Sequence, residues 1–229
     1  MRTIGMIGGT SWFSTIDYYR VINQQMNDRL GGNASAKILL YSVNFEEIAV
    51  LSRQEDWEAV GEILLIAARN LELAGAQCLL LCANTMHLCA EKVQAGIGIP
   101  VIHIADIVVK NIQELGIDRV LLLGTKYTML ADFYAERLKS AGIELIIPSA
   151  DKLEWINSSI YQELGKGLFL PQTKEAYIGI INDSISQGAQ GVILGCTEIP
   201  LLIKKEDIHL PLFDTTILHS IAAVDFALR

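Results

Sequence analysis

The chain has 229 residues, of which 51% are apolar and 19% charged, and its 26 acidic against 18 basic side chains give a formal net charge of −8. This describes a compactly folding chain of one large or two small domains and excludes a disordered or merely solvating segment. The negative charge is spread along the chain and no basic stripe is present to displace counterions from phosphates, which argues against a nucleic-acid partner and leaves small ligands open.

Taken in order, Arg2 is followed by Thr3-Ile4-Gly5-Met6-Ile7-Gly8-Gly9, an apolar run too short for a secretory leader and readable as a first strand. Further strands are expected at 37–42, 78–81, 101–103, 119–123, 144–147, 191–194 and 211–213, where leucine-rich or β-branched runs are nearly continuous, as in strands buried on both faces. Amphipathic stretches at 14–29, 57–74, 130–141 and 174–187 read as helices, so the chain alternates β and α. None of the apolar runs reaches bilayer length, and the expectation is a cytoplasmic protein without a membrane partner. Cys78, Cys82, Cys89 and Cys196 are too few for a disulfide scaffold and lack CxxC spacing, so neither a staple nor a metal site is expected.

An internal repeat emerges from the strands. Gly5-Met6-Ile7-Gly8-Gly9-Thr10 answers to Leu121-Leu122-Leu123-Gly124-Thr125, Leu80-Leu81-Cys82-Ala83-Asn84-Thr85 to Ile193-Leu194-Gly195-Cys196-Thr197-Glu198, and Ile99-Pro100-Val101-Ile102 to Leu210-Pro211-Leu212-Phe213. The expected architecture is α/β, with two pseudosymmetric Rossmann-like lobes, each a short parallel sheet flanked by helices, and an active site in the cleft between them. Lobe one would comprise 1–103 plus 215–229 and lobe two 104–214. Ligands of open α/β sheets sit outside the carboxyl ends of the strands, where Cys82 and Cys196 both fall.

Two thiols related in this way suit stereoinversion at a carbon acid, since one group must remove a proton from one face while another supplies it to the opposite face. A thiol with an ordinary pKa of about 8.5 can serve in either role. Cys78 on the strand and Cys89 farther along read instead as packing cysteines. Asn84, Thr85, Thr125 and Thr197 are candidates for holding an α-carboxylate, with Ser11 beside them and Gly8-Gly9 letting the backbone approach the ligand. Glu198 or His87 would tune a thiol or steady the ammonium group, with Asp214 a further option for the ammonium; His87 also reads as a helix-surface histidine. The glycine turn after the first strand lacks the full GxGxxG pattern of a dinucleotide site.

Gly8-Gly9-Thr10-Ser11-Trp12, Cys82-Ala83-Asn84-Thr85-Met86-His87 and Gly195-Cys196-Thr197-Glu198-Ile199 resemble the aspartate/glutamate racemase family, a likeness that runs through Leu123 to Met129 and Phe213 to Thr216 and so covers essentially the whole chain. The resemblance implies cofactor-independent racemisation of an acidic amino acid, aspartate first and glutamate second, with Cys82 and Cys196 as the two bases and commonly a homodimer. It also implies that Asn84, Thr85, Thr125 and Thr197 grip the α-carboxylate, with Gly9, Thr10, Ser11 and Glu198 in the same substrate-binding set. Arg53, in the loop Ser52-Arg53-Gln54, would hold the side-chain carboxylate, and Lys166 is a second basic candidate. Thr10, Phe13 and Ala83 depart from many close relatives, which bears on substrate choice. Two rivals accompany this expectation: a racemase of broader or neutral amino-acid specificity, and a two-lobed small-anion binding module.

Overall fold

The computed structural model describes residues 1–229, which divide into two compact units, Met1–Ile104 with Thr216–Arg229 and Ala105–Thr215.

In the first unit, β1 (Ile4–Gly8) pairs in parallel with β2 (Ile38–Ser42) on one side and β3 (Cys78–Leu81) on the other, giving the order β2-β1-β3. β1 and β3 are buried at every residue, as their unbroken apolar runs require, whereas the edge strand β2 is exposed toward its end. The strand expected at 101–103 shrinks to a single bridge between Leu79 and Val101, because the chain turns almost at once into a helix at Ile104. Helix α1 (Trp12–Leu30) follows β1, α2 (Phe45–Arg53) follows β2, and α3 (Trp57–Leu73) leads into β3. α2 is capped by the Asn44 side chain, which accepts from the Glu46 N–H, and α3 by Asp56, which accepts from Ala59 N–H at 3.0 Å. A 3-10 turn at Thr85–Cys89, α4 (Ala90–Ala95) and the start of α5 (Ile104–Glu114) complete the sequence-continuous part.

Two apolar clusters lie on either side of this sheet. Leu79 and Leu81 face one cluster with α3, while Cys78, Leu80 and Cys82 face the other with Tyr18, Ile22 and Met26 of α1. The alternation is the period of two that a strand imposes.

The second unit repeats the plan: β4 (Arg119–Leu123), β5 (Glu144–Ile146), β6 (Gly191–Leu194) and β7 (Leu212–Asp214) form an all-parallel sheet in the order β5-β4-β6-β7. The helix expected at 130–141 forms over 132–140, behind a short helix in the turn before it. α6 (Lys126–Leu130) ends at Ala131, whose extended backbone (φ −76°, ψ 144°) separates it from α7 (Asp132–Ser140). Between β5 and β6 run α8 (Ala150–Gln162), a 3-10 turn at Leu164–Lys166 and α9 (Pro171–Ser186), which starts with the proline that a first helical position tolerates. The short α10 (Ile199–Leu202) follows β6. α11 (Thr215–Leu228) starts in this unit and returns the chain to the first, where Ala223, Val224 and Ala227 join the cluster around Cys82. No helix is long and apolar enough to cross a membrane.

Candidate functional site

In the first unit the turn Gly9-Thr10-Ser11 and the turn beginning at Cys82 follow the carboxyl ends of the adjacent strands β1 and β3, so both arrive at one edge of the sheet. Gly9 has φ +91°, and a Cβ there would lie 2.2 Å from the Val43 carbonyl oxygen and 2.8 Å from its nitrogen. The space that glycine preserves on this side is taken by the chain leaving β2. The Gly9 N–H donates to Thr15 Oγ1 at 2.8 Å, and Thr15 Oγ1 donates to the Ser11 carbonyl at 3.1 Å, so α1 steadies the turn. Thr10 is buried and its hydroxyl has no hydrogen-bond partner in the chain. Ser11 is partly exposed and precedes α1.

Cys82 is wholly buried, with its side chain in the apolar cluster shared by α1 and α11, and burial alone pushes its thiol far above the ordinary range. Its backbone is pinned twice: the Cys82 N–H donates to the Ile7 carbonyl at 3.0 Å and Ser14 Oγ donates to the Cys82 carbonyl at 2.7 Å. Asn84 is buried and Thr85 half-buried in the same turn. Cys78 and Cys89 are also buried, with thiols pushed up to about 12 and about 11, chiefly by desolvation, and Cys89 Sγ rests 3.5 Å from the Trp57 carbonyl oxygen. All four cysteines are free.

In the second unit, Thr125 follows β4 and Cys196-Thr197-Glu198 follows the neighbouring β6, again at the carboxyl edge. Thr125 caps α6: its Oγ1 accepts from the Thr128 N–H at 3.3 Å and lies 3.1 Å from Thr128 Oγ1. Glu198 Oε2 accepts from both Cys196 Sγ at 2.9 Å and Thr197 Oγ1 at 2.8 Å. Burial first, and then the Glu198 charge and its hydrogen bond, hold the Cys196 thiol well above its usual pKa, partly opposed by the backbone N–H groups of Glu198 and Thr197. Burial thus favours the protonated form of both thiols.

The two basic candidates each have a local partner. Arg53 is the last residue of α2 and not part of a loop, its side chain is 63% exposed, and its Nη2 pairs with Glu46 Oε1 at 3.0 Å. Lys166 ends the 3-10 turn, where its Nζ donates to Gln162 Oε1 at 2.9 Å.

His87 is not a surface histidine: it is 2% exposed. Its ring packs against His103 and His219, with centroids 4.7 and 5.5 Å away, and its pKa is depressed by burial and then by those two neighbours. His219 on α11 and Tyr18 on α1, which sequence reasoning passed over, meet through Tyr18 Oη and His219 Nδ1 at 2.8 Å. A lone histidine within the apolar stretch of the last helix was the available signal. No group of histidine, cysteine and acidic side chains has the arrangement of a metal site.

The sequence profile of the family described as Asp/Glu/Hydantoin racemase matches residues 7–223. A crystal structure from Yersinia pestis, described as a candidate Asp/Glu racemase, is 46% identical and superposes with a TM-score of 0.95 over 100% of both chains. An aspartate racemase homologue from Pyrococcus horikoshii OT3 is 37% identical, with a TM-score of 0.88 over 100% of both chains. The broad specificity amino-acid racemase RacX of Bacillus subtilis (strain 168) is 25% identical over 167 residues, which span 72% of this chain and 70% of RacX.

Proposed function

The chain belongs to the Asp/Glu/hydantoin racemase family and is an amino-acid racemase, and on that premise we propose that it inverts an acidic amino acid, aspartate first and glutamate second, using Cys82 and Cys196 as its two acid/base groups and no cofactor. The observation that carries this reading is the equivalent placement of the two cysteines, Cys82 directly after β3 and Cys196 one residue farther on after β6, each strand lying next to the first strand of its own sheet. The anion-binding alternative is set aside by the family.

In one direction the Cys196 thiolate takes the α-proton, and the Cys82 S–H protonates the opposite face of the carbanion. This leaves Cys196 as thiol and Cys82 as thiolate, ready for the reverse reaction. A thiol held above the ordinary range must first lose its proton, and the Cys196 thiol donates its hydrogen bond to Glu198 Oε2 at 2.9 Å. The substrate ammonium offsets the charge so created. Asn84, Thr85, Thr125 and Thr197 hold the α-carboxylate, with Gly9, Thr10 and Ser11 shaping the same pocket, and donors on that carboxylate stabilise the charge that develops as the carbanion forms. Arg53, with Lys166 as a second cation, reads the side-chain carboxylate.

A racemase of broader specificity is the second reading. It is favoured by the likeness to RacX and by the exposed position of Arg53, whose guanidinium pairs with Glu46. Homodimer formation accompanies the proposal, and the apolar side chains that α1 exposes at helical spacing, Trp12, Ile16 and Tyr19, supply area for it. Four free thiols fit a reducing cytoplasm.

The test is chiral chromatography of L and D amino acids incubated in deuterium oxide with metal-free and cofactor-free protein. Aspartate should racemise with deuterium entering at the α-carbon, and Cys82→Ser and Cys196→Ser should each lower the rate by about 10² to 10⁴. Near-wild-type racemisation by either variant would end the two-thiol assignment, and a neutral amino acid outpacing aspartate would transfer the conclusion to the second reading.

A further inference from the structure

His87 is bound through both ring nitrogens to backbone on either side of it. Nδ1 lies 3.1 Å from the Ala83 carbonyl oxygen, which can only accept, so Nδ1 carries the hydrogen. Nε2 lies 3.2 Å from the Ile104 nitrogen, whose N–H can only donate, so Nε2 presents its lone pair. One neutral tautomer satisfies both bonds. His219 is held in the opposite tautomer, with Nε2 2.6 Å from the Ile102 carbonyl oxygen and Nδ1 accepting from Tyr18 Oη. The four ring nitrogens of these two histidines are therefore occupied, and neither is left to serve as a proton shuttle or an ion ligand.

Ala83 stands between Cys82 and Asn84, and its peptide orientation sets where both neighbours project. From the other side the Cys82 backbone is fixed by Ile7 and Ser14. The His87 backbone N–H also donates to the Asn84 carbonyl at 2.9 Å, closing the turn. We infer that His87 is a positioning residue for racemisation, tying the turn that carries Cys82, Asn84 and Thr85 to the first N–H of α5 through its neutral ring. The inference rests on the reading that this turn belongs to the racemase site. His87 touches no substrate in it and acts only through the Ala83 peptide.

Two substitutions separate the two bonds. The amide of His87→Asn overlies Nδ1 and can still donate to Ala83, but cannot reach Ile104. The amide of His87→Gln overlies Nε2 and can still accept from Ile104, but leaves Ala83 unpaired. Racemisation of L-aspartate, or of the best substrate in the panel above, is measured for both, for His87→Ala and for Cys82→Ser, together with thermal midpoints. His87→Ala should lower kcat/KM by about 10²-fold, mainly through kcat, as expected for misplaced reacting groups. His87→Asn should recover at least about tenfold of that loss and His87→Gln should not, with the two melting within a few degrees of each other. Equal kcat/KM for the asparagine and glutamine variants, or values near wild type for all three while Cys82→Ser is inactive, would overturn the positioning role and leave the two-thiol reading standing. Activity of Cys82→Ser near wild type would overturn both. Because these variants remove bonds from a buried turn, ¹⁵N NMR of the wild-type protein provides a readout independent of their folding. An Nδ1–H tautomer for His87 at neutral pH supports the inference, and an Nε2–H tautomer or a charged ring overturns it.

Discussion

Replacing His219 by glutamine should flatten the acid side of the stability profile. Burial holds the His219 pKa down to about 4 against an ordinary 6.5, with the hydrogen bond to the Ile102 carbonyl opposing that shift only in part. Below pH 6.5 the unfolded chain takes up a proton that the folded chain refuses until about pH 4. The stabilising contribution is thus complete above 6.5 and declines as pH falls toward 4. Applying proton linkage to these two values, His219 costs the folded state on the order of 1 kcal/mol more at pH 5.5 than at pH 7.0. For a chain of this length that corresponds to about 2 to 5 °C in Tm. His87, also depressed by burial and neighbouring rings, adds a second loss of the same sign in the wild type. The assay is the urea midpoint and Tm of wild type and His219→Gln at pH 7.0 and 5.5 and fixed ionic strength. The variant should start lower at pH 7.0, since the Tyr18 hydroxyl and Ile102 carbonyl lose a shared partner, but should lose on the order of 1 kcal/mol less than wild type between the two pH values. Equal losses in both proteins would refute the assignment of a buried, neutral His219.

Three further outcomes follow from the sites described. Glu198→Gln removes a charge that raises the Cys196 pKa, so the pH at which Cys196 becomes open to alkylation, followed by mass spectrometry, should move to lower pH; an unmoved or higher limb would remove Glu198 from control of that thiol. Gly9→Ala must seat a Cβ 2.2 Å from the Val43 carbonyl oxygen at φ +91° and should lower stability by at least about 2 kcal/mol, read as a fall in Tm, whereas an unchanged Tm would show that the turn relaxes freely. Arg53→Ala should weaken turnover of a dicarboxylic amino acid by about 1.5 to 3 kcal/mol relative to a neutral one, and equal effects on kcat/KM for both substrates would mean that Arg53 does not read the side chain.

The amino-acid sequence alone determined the parallel α/β class and several strand limits, because strands buried on both faces must be apolar at consecutive positions. Cys78–Leu81, Arg119–Leu123 and Gly191–Leu194 are read directly from their runs. It also marked the turns after β1, β3, β4 and β6 as chemically unusual, since cysteine, asparagine, threonine and glutamate there interrupt an apolar pattern. Distant partners were decided only in three dimensions. The Val43 backbone occupies the space beside Gly9, and Arg53 pairs with Glu46 at the end of a helix instead of standing in a loop. Tyr18 and His219, 201 residues apart, share a buried hydrogen bond, and His87 takes its tautomer from Ala83 and Ile104. Hydrophobic periodicity is a local signal that reports which face of an element is buried. Which polar atoms meet on that face, and hence which protonation state is stable there, depends on the packing of elements from opposite ends of the chain.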